Sequence, residues 1–91
     1  MTTLNPQDLV EFNINKDAYG QITDEGWKHL ENTVGEDYIK NCIKPRAVEI
    51  NGEVWYELQL WDWFALFPVK NGVRLLFGTR ILFKKSDFNS L

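Results

Sequence analysis

One segment restricts the fold of this chain more than any other: "RAVEINGEVWYEL", residues 46–58. Two runs rich in β-forming residues flank Asn51 and Gly52. That pair accepts the positive φ angles that a type I′ turn requires at both central positions, so the segment specifies a β-hairpin. Side chains alternate across a strand. Val54, Tyr56 and Leu58 therefore face one way on the second strand, and Trp55, Glu57 and Gln59 face the other. The rest of the chain has to cover one or both of these faces.

A helix that can do so begins in "YGQITDEGWKHLE". Thr23 suits the N-cap, because its hydroxyl can accept an otherwise unpaired early N–H. Asp24 and Glu25 follow in the first turn, where the helix dipole favours anions. Ile22 and Trp27 stand at the positions of a hydrophobic staple. Trp27, Leu30 and Val34 form one apolar stripe. Gly26 departs from a full capping box, which wants Glu or Gln at that position. Gly35 breaks or kinks the helix; Tyr38, Ile39, Cys42 and Ile43 then make a second stripe, which Pro45 ends.

On either side lie strands. Residues 9–14 alternate, with Val10, Phe12 and Ile14 on one face, and "NKDAYG" supplies turn chemistry after them. Near the other end, two β-rich runs, residues 73–77 and 80–83, follow a second Asn-Gly pair at Asn71 and Gly72. The last run is expected to lie beside residues 9–14, with Lys84 and Lys85 protecting its end from edge-to-edge pairing. The expected fold is α+β: a small antiparallel sheet of three to five strands with two or three short helices on one face. At 91 residues the chain is expected to be one domain, with residues 1–7 and 86–91 loosely held.

The hairpin leads into "YELQLWDWFALFP", whose period changes near Leu60. Leu60, Trp61, Phe64 and Phe67 fit one helical face, Trp63 and Leu66 point elsewhere, and Pro68 stops the turn. A helix apolar nearly all round is either wholly buried or partly covered by something else. Large aromatics fill a small core efficiently, and complete burial of every face is hard to arrange in so short a chain. Trp55 or Trp63 is therefore expected outside. Interface cores are enriched in such residues, and Trp anchors often dominate binding. The candidate contacts are Trp55, Trp61, Trp63 and Phe67, with Trp61 the nearest to plain core. The expected partner is a protein, with a homodimer the simplest case.

Chemistry is poorly represented. Nucleophilic catalysis needs a nucleophile near an oriented base, and the chain has one His and one Cys. His29 lies off the helix stripe and reads as solvated, whereas Cys42 reads as a small buried hydrophobe. The paired acids Asp24–Glu25 and Glu36–Asp37 fall at helix starts, where capping and dipole effects account for them. The glycines are scattered and form no phosphate loop. No enzyme, metal, cofactor or small-molecule substrate is expected. A single Cys precludes an internal disulfide, and no apolar run is long enough for a membrane span. The opening "MTTLNPQ" is polar, unlike a signal peptide, so a cytoplasmic protein is expected.

Charge supports an alternative. Residues 1–62 carry twelve acids and five bases, while residues 63–91 carry one acid and five bases, within a net charge of −3. The basic end could meet nucleic acid through Arg74, Arg80, Lys84 and Lys85. Two helices before a hairpin also allow a winged helix-turn-helix. Its recognition helix, "GEDYIKNCI", has two acids and one lysine, the wrong balance for phosphates.

Three pieces, "YGQITDEGWKHLE", "NGEVWYELQLWDWFALFP" and the later "GTRILF", together resemble short uncharacterised proteins of tailed bacteriophages and prophages. In those, a Thr-led helix follows "YG", and a "Q-L-W" segment with a later Phe precedes a short strand. The likeness covers about half the chain. Here "PVKNGVRLL" stands in place of a shorter glycine-containing link. The resemblance implies a phage or prophage origin and an intracellular setting, and it brings no catalytic residues with it.

Overall fold

Asn51 and Gly52 have φ angles of 51° and 81°, the left-handed pair that the hairpin turn needs. They belong to a computed structural model that describes residues 1–68 and 77–90. Its elements run β1 (Val10–Phe12), β2 (Asp17–Gly20), α1 (Asp24–Thr33), α2 (Gly35–Tyr38), β3 (Ala47–Ile50), β4 (Glu53–Gln59), α3 (Leu60–Leu66), β5 (Leu82–Phe83) and β6 (Phe88–Ser90). The fold is α+β. One antiparallel sheet has the order β3-β4-β2-β5, and β1 pairs with β6 in a second, two-stranded sheet.

The hairpin is the centre of the larger sheet. Its first strand sets Val48 opposite Trp55. On the other side β2 sets Ala18 opposite Leu58 and Tyr19 opposite Glu57. β2 lies where a turn was expected. The turn comes earlier, at Asn13, whose carbonyl accepts from Lys16 N–H at 2.9 Å and whose side chain accepts from Asn15 N–H at 2.9 Å. "DAYG" is then free to extend, because Ala18 and Gly20 offer the core two small residues in alternation.

The C-terminal strands also depart from expectation. β5 pairs with β2, setting Ala18 against Phe83, and the strand beside β1 is β6. Residues 88–90, read as a loose end, thus complete a sheet. Aromatic packing accounts for the exchange: the Phe12 ring lies 4.5 Å from Phe83 and 5.2 Å from Phe88, joining the two sheets. The Asn71-Gly72 turn and all but Phe77 of the expected 73–77 strand fall outside the described residues.

α1 starts as its sequence dictates, with Gly26 N–H donating to Thr23 Oγ1 at 3.0 Å. Gly35 separates α1 from α2 at a φ of +85°. The chain then widens into a π turn over Ile39–Ile43, with Lys44 N–H reaching back to the Ile39 carbonyl. In the wider turn, residues four apart are almost in line, so Ile39 and Ile43 both enter the core. Cys42, expected inside, is rotated out to the surface by the same widening. Leu30, Ile39 and Ile43 pack with Ala18 and Leu58 on one face of the sheet. Trp63, Phe67 and Phe77 close the same core.

Candidate protein-binding surface

β4 passes into α3 without a loop, and backbone bonds to the preceding turn fix the helix about its axis. Gln59, at the N-cap, makes no side-chain cap. The first donors of the helix find carbonyls instead: Leu60 N–H donates to Lys16 at 3.0 Å and Trp61 N–H to Ile14 at 3.2 Å. Donors that a helix start leaves unpaired are thus satisfied by a neighbouring loop.

This setting turns Trp63 and Phe67 inward. Their rings stack 5.7 Å apart, and Trp63 Nε1 donates to the Ala18 carbonyl at 3.1 Å. Gly20 makes the space. A Cβ there would stand 2.9 Å from Cη2 and Cζ2 of the Trp63 indole. The opposite arc of the helix carries Trp61, Phe64 and Ala65, all exposed.

Trp61 is 47% exposed and Phe64 53%, and Ile14, tied to Trp61 through the backbone, is 57% exposed. Trp61 Nε1 donates to Gln59 Oε1 at 2.9 Å, so its polar atom is satisfied and its ring is left to solvent. Phe64 meets the edge of Phe77 at 5.9 Å and leaves its outer side open. Trp61 and Phe64 are thus exposed apolar side chains of the helix, with Ile14 exposed in the segment bonded to its first turn. No protein-family model, curated protein or solved structure matches this chain. The surface has therefore to be judged on its own chemistry.

Three of the four expected contact residues are buried within the chain. Trp63 and Phe67 are fully covered, and Trp55 is 1% exposed. Trp61, the one closest to core on the sequence reading, is outside. The helix is rotated about its axis from the face its sequence predicts: the inward positions are 60, 63 and 67, with Leu66 half-buried beside them. Phe64 and Ile14 are exposed at positions that the sequence pattern does not single out. The available signal was Gly20, a residue without a side chain next to a chain rich in large ones.

Trp55 does face away from Tyr56 and Leu58, but that face is covered too. At residues 77–78 the chain lies beside the sheet, with Ile22 bridged to Phe77 and Gly78 N–H donating to the Gln21 carbonyl at 2.6 Å. Arg80 then extends over the sheet. Its guanidinium lies 5.2 Å from the Trp55 ring centroid and 3.9 Å from Glu53 Oε2. Gln21 Nε2 donates to the same carboxylate at 3.1 Å. Among the described residues the buried Trp55 Nε1 has no hydrogen-bond partner.

Among the described residues the expected basic contacts do not form a free patch. Arg80 is engaged with Glu53, and Lys84 stands beside Tyr19 and Glu57, whose hydroxyl and charge raise the lysine pKa. Lys85 is exposed in the turn Lys85–Asp87, and Arg74 lies outside the described residues. Tyr19 donates to Glu57 Oε2 at 2.7 Å. Burial first, then that bond and the Glu57 charge, hold its pKa above the usual tyrosine value. A tyrosine so held is a hydrogen-bond donor and not a base.

His29 is half-buried and not solvated as expected. Its Nε2 lies 3.1 Å from the Leu66 carbonyl and its ring 6.4 Å from Phe67. Among the described residues no group of three or more His, Cys, Asp or Glu side chains could hold a metal ion. Nor is any described helix long and apolar enough to cross a membrane.

Proposed function

We propose that this chain acts by binding a protein through the exposed arc of α3, with Trp61 and Phe64 as anchors and Ile14 beside them. The observation that carries this reading is the exposure of two large aromatics three residues apart on a helix whose roll is fixed by backbone bonds. Neighbouring exposed aromatics favour association, because each can bury much apolar area with few rotamers to lose. The resemblance to short phage proteins would make a host protein a fair partner, and a second copy is the simplest. Nucleic acid has less support, since Arg80 and Lys84 face Glu53 and Glu57.

The test is photo-crosslinking inside cells from position 65, with position 36 as an exposed control. A discrete adduct from position 65 is expected, and it should disappear when Trp61→Ser and Phe64→Ser are combined. No adduct, or one indifferent to that pair, would remove the reading.

A further inference from the structure

We infer that the occupant of the Ile14–Trp61–Phe64 surface is a second copy of this chain, docked about a two-fold axis with Lys16 of each copy facing Asp62 of the other. This rests on the protein-binding reading and names its partner. Magnitudes show what such an interface must contain. A half-exposed aromatic or Ile offers on the order of 100 Å² of further burial, whereas a stable interface takes roughly 800 Å² from each partner. The three apolar side chains therefore cannot suffice, and the polar rim must fit as well.

Beside these side chains stand two charges of opposite sign, Lys16 and Asp62. Lys16 is exposed at the turn whose carbonyl receives Leu60 N–H, which places it at the start of α3. Asp62 lies in the first turn of the helix, next to Trp61. Among the described residues neither has an ion-pair partner in its own chain. In an isologous interface every contact occurs twice with the roles exchanged. A base and an acid on one patch then satisfy each other across the axis without any other chain being shaped to them. Ala65, exposed on the same arc, leaves room for the partner's indole. The net charge of −3 on each copy opposes association only weakly, because salt screens charges more than about 8 Å apart at physiological ionic strength.

Sedimentation equilibrium of the purified chain from low to high micromolar concentration tests the inference. A reversible monomer–dimer equilibrium is expected. It should be abolished by combining Trp61→Ser with Phe64→Ser, while the circular dichroism stays that of the folded chain. Lys16→Glu or Asp62→Lys alone should weaken the dimer by about tenfold or more, because each sets like charges against one another. Mixing those two variants should restore it as a heterodimer, since Glu then faces Lys at one contact and Lys faces Asp at the other. A wild type that stays monomeric overturns the inference, and so does a dimer indifferent to either the aromatic or the charge changes. If position 65 crosslinks in cells to a protein of different mass while the purified chain is monomeric, the surface reading stands and this inference alone falls.

Discussion

The Cα of Gly20 lies so close to Trp63 that a Cβ on it would stand 2.9 Å from the indole, closer than real Cβ atoms come. Neither partner can yield easily, because Gly20 is held in β2 and Trp63 is anchored to the Ala18 carbonyl. Gly20→Ala is therefore expected to destabilise by about 1–3 kcal/mol, the usual cost of overpacking a filled core. Urea denaturation measures it. Combined with Trp63→Phe, which shortens the ring, the loss should be smaller than the sum of the two single losses. Strict additivity would mean that the residues do not share one space.

The two buried indoles should respond differently to truncation. Trp63→Phe removes a buried hydrogen bond and leaves a cavity, an expected cost of about 2–3 kcal/mol. Trp55→Phe also removes area, but it deletes an N–H that has no partner among the described residues, and the two effects oppose each other. Its net effect should lie within about 1 kcal/mol. Equal losses in chemical denaturation would point to an acceptor for Trp55 Nε1.

Solvent exposure of Trp61 can be checked by light. Trp55 and Trp63 are buried, Trp27 is half-buried beneath Lys44, and Trp61 is the most exposed of the four. Trp61→Phe should remove most of the iodide-quenchable fluorescence of the monomer while leaving the thermal midpoint nearly unchanged. Quenching that survives the substitution would place the accessible indole elsewhere.

Local signals made much of this legible in the sequence. The Asn51-Gly52 turn and the Thr23 cap depend on neighbouring residues alone, and both form as read. What failed depended on distant partners. The inward face of α3 is decided by Gly20, some forty residues earlier in the chain, and by two carbonyls of the turn before β2. Strand alternation turns Trp55 away from Tyr56, but its burial depends on distant chain: the Arg80 guanidinium, 5.2 Å from its ring, comes from a segment with no local tie to β4. Cys42 is exposed, against its place on an apolar stripe, because a stripe drawn at 3.6 residues per turn does not survive a π turn. The exposed aromatics lie on the helix that the sequence singles out, but of Trp55, Trp61, Trp63 and Phe67 only Trp61 is exposed.

Glycines in open space should behave unlike Gly20. Gly35 and Gly52 have φ angles of +85° and +81°, and a Cβ at either would meet nothing within 4 Å. Ala at either position should cost about 1–2 kcal/mol from backbone strain alone. Asn, which tolerates the left-handed region better, should recover part of that loss. If Asn and Ala cost the same in a denaturation series, strain at these φ angles is not the cause.

Alkaline pH should weaken the fold through a small set of groups on the sheet. Burial, then the bond to Glu57 and its charge, raises the Tyr19 pKa; burial raises that of Tyr56. The Lys84 pKa is raised by its hydrogen bond with Tyr19 and then by the charges of Tyr19 and Glu57. In each case the folded value lies above the unfolded one, so the folded chain holds protons that the unfolded chain would release. Their stabilisation is complete below the unfolded values, about 10 for tyrosine and 10.4 for lysine, and is lost as pH rises through the folded ones. Stability from these groups should be level to about pH 9 and fall above about pH 10. Tyr19→Phe removes one titrating group together with the partner that raises Lys84, so its urea midpoint should decline less steeply between those pH values than that of the wild type. Parallel declines would show that the Tyr19–Glu57–Lys84 cluster does not couple proton release to unfolding.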